Sequence, residues 1–410
     1  MALPFIFLRL LWRSRNAPDY RRRWAERLGF CPFRLQQSIW VHSVSVGETI
    51  AAIPLIKALL ERYPQYPLLV TTMTPTGAAR VKAAFADRVQ HAYIPYDLPG
   101  AVKRFLNRVD PQILVIMETE IWPNLLAACR KRQIPIVLTN ARLSAKSAAG
   151  YQRIAPLTRT MLAEIQQLAA QAQADADRFI ALGMSKERVT VTGNIKFDIA
   201  IAEDLIARSE VLRHQLGKSR PVWIAASTHE GEEDIILDAH RQVLAKFPES
   251  LLILVPRHPE RFTQIAQLAQ QKKFMVARRS ENTTCTPATS IYLGDTMGEL
   301  MLLYAVSDVA FVAGSFAKVG GHNLLEPAVL GKPVISGPQL FNFAAISEML
   351  ASSQALTIVT DANQLAQAVT RFFAETRLQQ QMGDRARKVV EANRGALARQ
   401  LAVICPLVEG

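Results

Sequence analysis

The chain has 410 residues, half of them hydrophobic and a fifth charged, with 48 Lys and Arg against 35 Asp and Glu for a net charge of +13. This length predicts two or three domains, and the apolar content excludes disorder as the dominant state. No run of 18 apolar residues occurs, which excludes a polytopic membrane protein, while the charge favours a polyanionic partner: nucleic acid, anionic membrane or phosphorylated substrate.

Residues 1–40 hold eight arginines (9, 13, 15, 21, 22, 23, 27 and 34) against Asp19 and Glu26, a net +6. The segment opens Met-Ala-Leu-Pro-Phe-Ile-Phe-Leu-Arg-Leu-Leu-Trp, which Arg9 interrupts and which is too short to span a bilayer. No small-residue cleavage site follows, so a secretory signal is not expected. With Trp12 and Trp24, the tip suits an interfacial anchor on anionic lipid. The alternative is a helix packed on its own domain with solvated arginines. Cys31, Cys129, Cys285 and Cys405 are scattered, without a C-x-x-C pair, and fit small core residues in a reducing compartment.

From residue 38, β-rich runs alternate with amphipathic stretches. Strands are expected at 39–46, 68–72, 91–95, 113–118, 136–139, 168–172 and 189–192. The helix between the first two is expected to bury Ile50, Ile53, Ile56 and Leu60. The runs are almost continuously apolar, as in parallel sheets covered on both faces. This reads as a doubly wound α/β domain ending near residue 195. After a charged helical connector at 200–219, strands are expected at 221–226, 251–255, 290–293, 309–313 and 333–335, then terminal helices. The architecture expected is two Rossmann-like domains facing a cleft, at 1–199 and 200–410.

Ligands of open α/β sheets sit at strand carboxyl ends, so residues just after strands are the candidates. Trp40-Val-His-Ser-Val-Ser-Val-Gly-Glu48 places Glu48 at a helix start, with Gly47 allowing a tight turn. Glu48 is either catalytic or a first-turn acid that complements the helix dipole, which should favour its ionised form. Glu118 and Glu120 follow an apolar strand and share a side if the chain stays extended, serving either chemistry or capping. Lys196 lies at the domain junction, where it could reach an anion. In the second domain four strand-to-helix junctions, at 227–233, 256–261, 294–299 and 320–327, could offer backbone N–H groups to phosphate, with Arg257 adding a fixed charge. Glu326 would suit ribose hydroxyls. No P-loop and no G-x-G-x-x-G after the first strand occur, which argues against an ordinary NAD enzyme. His229, His258 and His322 are far apart and lack metal-ligand spacing, so hydrogen-bonding roles are expected for them.

Taken together, these segments resemble the 3-deoxy-D-manno-octulosonic acid (Kdo) transferases over essentially the whole chain. The segments are Tyr20-Arg-Arg-Arg-Trp24, His42 to Glu48, Thr71 to Gly77, Met117-Glu-Thr-Glu-Ile-Trp-Pro-Asn124, Asn140 to Ser144, Val255 to Arg261 and Gly320-Gly-His-Asn-Leu-Leu-Glu326. Their order and spacing carry the specificity. The resemblance implies a GT-B glycosyltransferase fold, CMP-Kdo as donor substrate, no cofactor and no metal, and inverting transfer to the lipid A precursor lipid IVA. It implies a peripheral or monotopic site on the anionic cytoplasmic face of the inner membrane, because members often begin with a longer hydrophobic anchor than this one. It makes Glu48 the general base and Glu118 and Lys196 transition-state stabilisers. It maps donor contacts to Pro256 and Arg257, to Met297, Gly298 and Glu299, and to Asn323, Leu324, Leu325 and Glu326. The runner-up is a sugar-nucleotide epimerase on the same fold, which leaves the basic N-terminus unexplained. A non-catalytic nucleic-acid or anionic-surface binder would explain the charge, but no nucleic-acid motif is present.

Overall fold

Two seven-stranded sheets organise the chain in a computed structural model that describes residues 18–282 and 284–410. The first comprises β1 (Ser38–His42), β2 (Leu68–Thr72), β3 (Gln90–Tyr93), β4 (Pro111–Met117), β5 (Ile136–Ala141), β6 (Gln167–Ala170) and β7 (Val189–Val191). Its strands pair in parallel in the order β3-β2-β1-β4-β5-β6-β7. The second comprises β8 (Val222–Thr228), β9 (Leu251–Pro256), β10 (Val276–Arg278), β11 (Ile291–Leu293), β12 (Val309–Val312), β13 (Val334–Ser336) and β14 (Leu356–Ile358). Its order is β10-β11-β9-β8-β12-β13-β14, again parallel. Strands β10 and β14 were not expected from the sequence. They are edge strands of three residues, paired on one side only, and too short to show a period.

The central strands are buried along their length, as their unbroken apolar runs require; β1 and β8 each carry a fully buried tryptophan, Trp40 and Trp223. The Val46–Arg62 helix packs on the first sheet with Ile56 buried and Ile53 and Leu60 against the core as expected, but its buried stripe is turned away from Ile50. Ala51, Ala52, Leu55, Ile56 and Leu59 are buried, whereas Ile50 is 47% exposed. The 3-3-4 spacing of Ile50, Ile53, Ile56 and Leu60 drifts around the helix. The stripe built on two alanines lets the backbone approach the sheet, and it wins. Strand β1 also ends at His42 rather than Val46, because Ser45 caps this helix.

The second domain ends earlier than expected. Contacts divide the described residues into one unit that runs from residue 18 to 198 and takes in 394–410, and a second of residues 199–393, so the second unit does not run to 410. The apolar face of the Ala396–Glu409 helix explains this. Ile404, Cys405 and Val408 join the core formed by Ile39, Val41, Leu55 and Val115. The Asp198 carboxylate accepts the backbone N–H groups of Gly395 at 2.6 Å and Leu397 at 2.5 Å.

The basic N-terminal segment is partly used for packing. Arg27 is 1% exposed, donates to the Met73 carbonyl at 3.0 Å and lies 4.3 Å from the Tyr93 ring centroid. Arg23 pairs with Glu26 and also lies over Tyr93. These two arginines therefore serve the fold rather than a lipid surface. The apolar tip with Arg9, Trp12, Arg13 and Arg15 lies outside the described residues. Among the described residues, no helix is long and apolar enough to cross a membrane.

Candidate active site

In the first unit the strand order reverses between β1 and β4, the position where doubly wound sheets open a crevice at their carboxyl ends. Glu48 and Glu118 follow those two strands. Ser45 Oγ accepts the Glu48 N–H at 3.2 Å, and the Glu48 carboxylate accepts from Ser45 Oγ at 2.7 Å, Ser45 N at 3.3 Å and Val44 N at 2.8 Å. This is a reciprocal capping box. Glu48 is 8% exposed, and burial raises its pKa; the bonds from Ser45 and Val44 oppose the rise and the charge of Glu118 adds to it. The helix terminus was expected to favour the ionised form, but desolvation outweighs it. Gly47 does not supply the turn either. It sits inside the helix without a positive φ, and an added Cβ would meet only Ser45 Oγ, at 3.8 Å. What the glycine leaves is open space beside Glu48.

At the end of β4, Glu118 adopts φ 57° and donates its N–H to the Thr139 carbonyl at 3.0 Å. The chain therefore turns here, and the alternation argument for Glu118 and Glu120 does not hold. The two nonetheless share one site with Glu48, because the charge of Glu118 acts on Glu48 and the charges of Glu48 and Glu118 both act on Glu120. The Glu118 carboxylate lies 3.8 Å from Lys196 Nζ and 3.9 Å from an Arg142 nitrogen. Glu120 accepts from Trp122 Nε1 at 3.0 Å. Burial pushes its pKa up to about 7, with the charges of Glu48 and Glu118 contributing. His42 is fully buried, bonded to Thr71 Oγ1 at 2.9 Å, and burial lowers its pKa to about 4, so it stays neutral. Sequence reasoning brought Glu48, Glu118 and Lys196 forward one by one. It missed Arg142 as their neighbour, although that residue lies in the Asn140–Ser144 segment just after β5.

In the second unit the corresponding reversal lies between β8 and β12. Pro256 ends β9, and Arg257 donates its N–H to the Thr228 carbonyl at 3.0 Å. The Arg257 charge acts on His229, His322 and Glu326, so these four groups are neighbours. His229 and His322 stack with centroids 5.1 Å apart and Nε2 atoms 2.8 Å apart, and His258 meets His229 edge-on at 5.3 Å. Burial lowers the His322 pKa to about 4, leaving it neutral. The sequence did not reveal this cluster; its only signal is that each histidine closely follows a strand or a glycine pair. Asn323 Nδ2 donates to Glu326 at 3.2 Å, and burial raises the Glu326 pKa.

Other donor candidates differ in what they can offer. Leu324 and Leu325 are fully buried, so only their backbone is available. Met297 is 60% exposed, and Gly298, at φ 83°, has nothing within 4 Å of an added Cβ. Glu299 is already engaged by Arg279 at 2.8 and 2.9 Å and by Thr296 Oγ1 at 2.6 Å, and Arg279 lowers its pKa. The expectation of a phosphate site at 227–233 fails. The Glu232–Lys246 helix starts with Glu232, Glu233 and Asp234, and the Glu232 carboxylate itself accepts the N–H groups of Gly314 at 2.8 Å, Ser315 at 3.0 Å, Phe316 at 2.9 Å and His229 at 2.9 Å. Glu233 is held by Arg261 at 2.6 and 3.0 Å. The protein's own acids fill the place of an anion.

Residues 22–199 match the family described as 3-deoxy-D-manno-octulosonic-acid transferase (kdotransferase), and residues 219–389 match glycosyl transferases group 1. A 3-deoxy-D-manno-octulosonic acid transferase of Haemophilus influenzae is 46% identical over 402 residues, covering 97% of this chain and 94% of that protein. The chain belongs to the Kdo transferase family. It is a glycosyltransferase, and lipopolysaccharide biosynthesis is the context of that family. The solved C-terminal CMP-Kdo binding domain of WaaA from Acinetobacter baumannii is 38% identical, covering 46% of this chain and 99% of that one, with a TM-score of 0.44. A UDP-GlcNAc 2-epimerase from Neisseria meningitidis is 13% identical and covers 90% of this chain and all of that one at a TM-score of 0.59, a likeness of fold. Two Rossmann-like units of the GT-B class are thus what the transferase family uses here.

Proposed function

We propose that the chain transfers Kdo from CMP-Kdo to lipid IVA in a single inverting displacement, with Glu48 as the general base. The observation that carries this reading is a buried carboxylate of raised pKa at the β1–β4 reversal, with the Glu118–Lys196 pair nearby. An acceptor hydroxyl gives its proton to Glu48 while its oxygen attacks the anomeric carbon of Kdo. The bond from that carbon to the CMP phosphate oxygen breaks, and the electron pair leaves with CMP. A carboxylate whose pKa is raised toward neutrality is a better matched base than an ordinary one. Three of the lone-pair positions on the Glu48 oxygens are taken by Ser45 and Val44, which fix its orientation and leave room for one more donor.

Lys196 and Glu118 act on the charge that develops as the glycosidic bond to phosphate breaks. The second unit holds CMP: Arg257 meets the phosphate, Glu326 accepts from ribose hydroxyls, and Gly298 allows close backbone approach, with Pro256, Met297, Asn323 and the backbone of Leu324 and Leu325 completing the contacts. Glu299 contributes through its backbone, its carboxylate being paired with Arg279. This reading requires no metal. The N-terminal tip together with exposed basic residues attaches the protein to the anionic cytoplasmic face of the inner membrane without spanning it.

The deciding experiment mixes the purified full chain with CMP-Kdo and tetraacylated lipid IVA and follows products by mass spectrometry and the anomeric configuration by NMR. Kdo-bearing lipid with inverted configuration, formed equally in EDTA, is the expected result. Retained configuration, or release of CMP with no Kdo on the lipid, would overturn the proposal.

A further inference from the structure

The inward face of the Ala396–Glu409 helix is apolar except at one place. Its buried residues are Ala396, Gln400, Ile404, Cys405 and Val408, and Gln400 is fully buried. A buried amide is unfavourable unless its polar atoms find partners, and the partners here lie directly behind the candidate active site. Gln400 Oε1 accepts from Thr139 Oγ1 at 3.0 Å. Its Nε2 is shared, at 3.5 Å each, between Asn140 Oδ1 and the Gly193 carbonyl. The Thr139 carbonyl in turn receives the Glu118 N–H at 3.0 Å, and Asn140 Oδ1 receives the Ile195 N–H at 3.1 Å, one residue before Lys196.

Two donors therefore converge on Asn140 Oδ1, from Ile195 and from Gln400. This fixes the amide orientation, since a flip would point Nδ2 at both of them. Asn140 is itself an unusual residue: its φ is 50°, it is fully buried, and its Nδ2 has no partner among the described residues. Such strain and lack of satisfaction persist only where the surroundings hold the residue in place. The turn that carries Lys196 is clamped from the same side by two further contacts of the last helix. Asp198 takes the N–H groups of Gly395 and Leu397, and Arg399 Nε donates to the Thr192 carbonyl at 2.8 Å.

We infer that Gln400 is a positioning residue for the Lys196–Glu118 pair: through Asn140 and Thr139 it fixes where the ammonium and the carboxylate stand. It touches no reacting atom. The inference rests on the roles proposed above for Lys196 and Glu118. Small displacements of groups that stabilise a transition state lower turnover more than they lower donor affinity.

The test is a double-mutant cycle in the full chain, with Gln400→Met, which conserves volume, and Lys196→Ala. Gln400→Met should lower kcat by roughly tenfold with the CMP-Kdo KM within about twofold of wild type, and in the Lys196→Ala background it should add less than about twofold. Ile404→Val, on the same helix face, supplies the matched packing control and should leave kcat within about twofold despite a lowered melting temperature. Gln400→Glu should restore turnover near and below neutral pH, because a buried carboxyl keeps its proton and reproduces one donor and one acceptor. Should Gln400→Met not fold, the same cycle run with Gln400→Glu above neutral pH, where that proton is lost, decides the matter. A Gln400→Met variant no slower than Ile404→Val, or a loss that multiplies in full with that of Lys196→Ala, overturns the role of Gln400 alone. Wild-type turnover of Lys196→Ala by itself would overturn the reading of Lys196 on which the inference stands.

Discussion

The two units place carboxylates after their reversal strands and use most of them in opposite ways, Glu326, whose pKa burial raises, being the exception in the second unit. At the β1–β4 reversal of the first unit, Glu48 and Glu120 are desolvated, and both have raised pKa values. At the β8–β12 reversal of the second, Glu232 takes backbone N–H groups and Glu233 takes a bidentate arginine. After β11, Asp295 and Glu299 are paired with Arg278 and Arg279, and both have lowered pKa values. Burial favours the protonated form of acids of the first kind; acids of the second kind are tied into their loops by the donors they accept from. Proton chemistry is thus expected from the first unit. Anion recognition is expected from the second, where Arg257 remains beside the neutral His322. Each unit also holds one non-glycine residue at positive φ at the critical strand end, Glu118 at 57° and Ser227 at 61°.

The largest expected effect tests the first half of this contrast. Glu48→Gln preserves shape and much of the capping box but cannot accept the acceptor's proton. It should lower kcat by about 10²–10⁴ while leaving the donor KM nearly unchanged. The wild-type kcat should also fall on acidification around a pKa above the ordinary carboxylate value, because burial favours the protonated form. Turnover within about threefold of wild type would reduce Glu48 to a capping residue.

The second half is tested by stability. Glu232→Ala leaves the N–H groups of Gly314, Ser315 and Phe316 without their acceptor in a buried loop. Removing one side of such a buried charged arrangement should destabilise the second unit by roughly 3–5 kcal/mol. Thermal unfolding with a probe in that unit measures it. A loss below about 1 kcal/mol would show that water replaces the carboxylate easily.

Ligand binding gives a smaller effect. Arg257→Ala should weaken CMP binding by about 1.5–3 kcal/mol, the usual contribution of a charge-assisted hydrogen bond. Calorimetry with CMP showing unchanged affinity would remove Arg257 from the donor site and shift attention to the His229–His322 pair.

What the sequence made legible follows from range. Continuous apolar runs such as Ile113–Met117 and Leu251–Val255 announce buried parallel strands, because a strand covered on both faces needs no polar alternation. Glu48 was legible because a strand end, a helix start and an acid lie within a few residues, although the Ser45 cap, not Gly47, makes the junction. The short edges β10 and β14 lack enough residues for a period. The return of residues 394–410 to the first unit was illegible for a different reason. An apolar helix face says that it must be covered but not by which sheet. The histidine cluster depends on contacts such as His229 with His322, which are 93 positions apart, and no local pattern encodes them. The same limit hid the commitment of Glu232 to the Gly314–Phe316 backbone, so that an acid-rich helix start looked like a phosphate site.

The smallest effect sharpens the comparison within the first unit. Glu120 is held near pKa 7 mainly by burial, with Trp122 Nε1 opposing the rise and Glu48 and Glu118 adding to it. The folded chain therefore binds this proton more tightly than the unfolded chain, whose glutamates titrate near ~4.3. The sign follows by linkage: the contribution of Glu120 to stability is fully present below the unfolded value and is lost as pH rises toward about 7, after which it stays constant. The shift corresponds to roughly 4 kcal/mol at most, and screening at a partly exposed site reduces it to about 1–2 kcal/mol. Glu120→Gln, which carries no charge at any pH, should thus gain stability relative to wild type across this interval, by about 2–6 °C in melting temperature at pH 8 compared with pH 4.5. Glu233→Gln, in the second unit, should show no such gain, because it loses a bidentate arginine partner instead. A Glu120→Gln difference that stays flat with pH would mean that the carboxylate titrates as an ordinary glutamate. The desolvated character of the first unit's site would then rest on Glu48 alone.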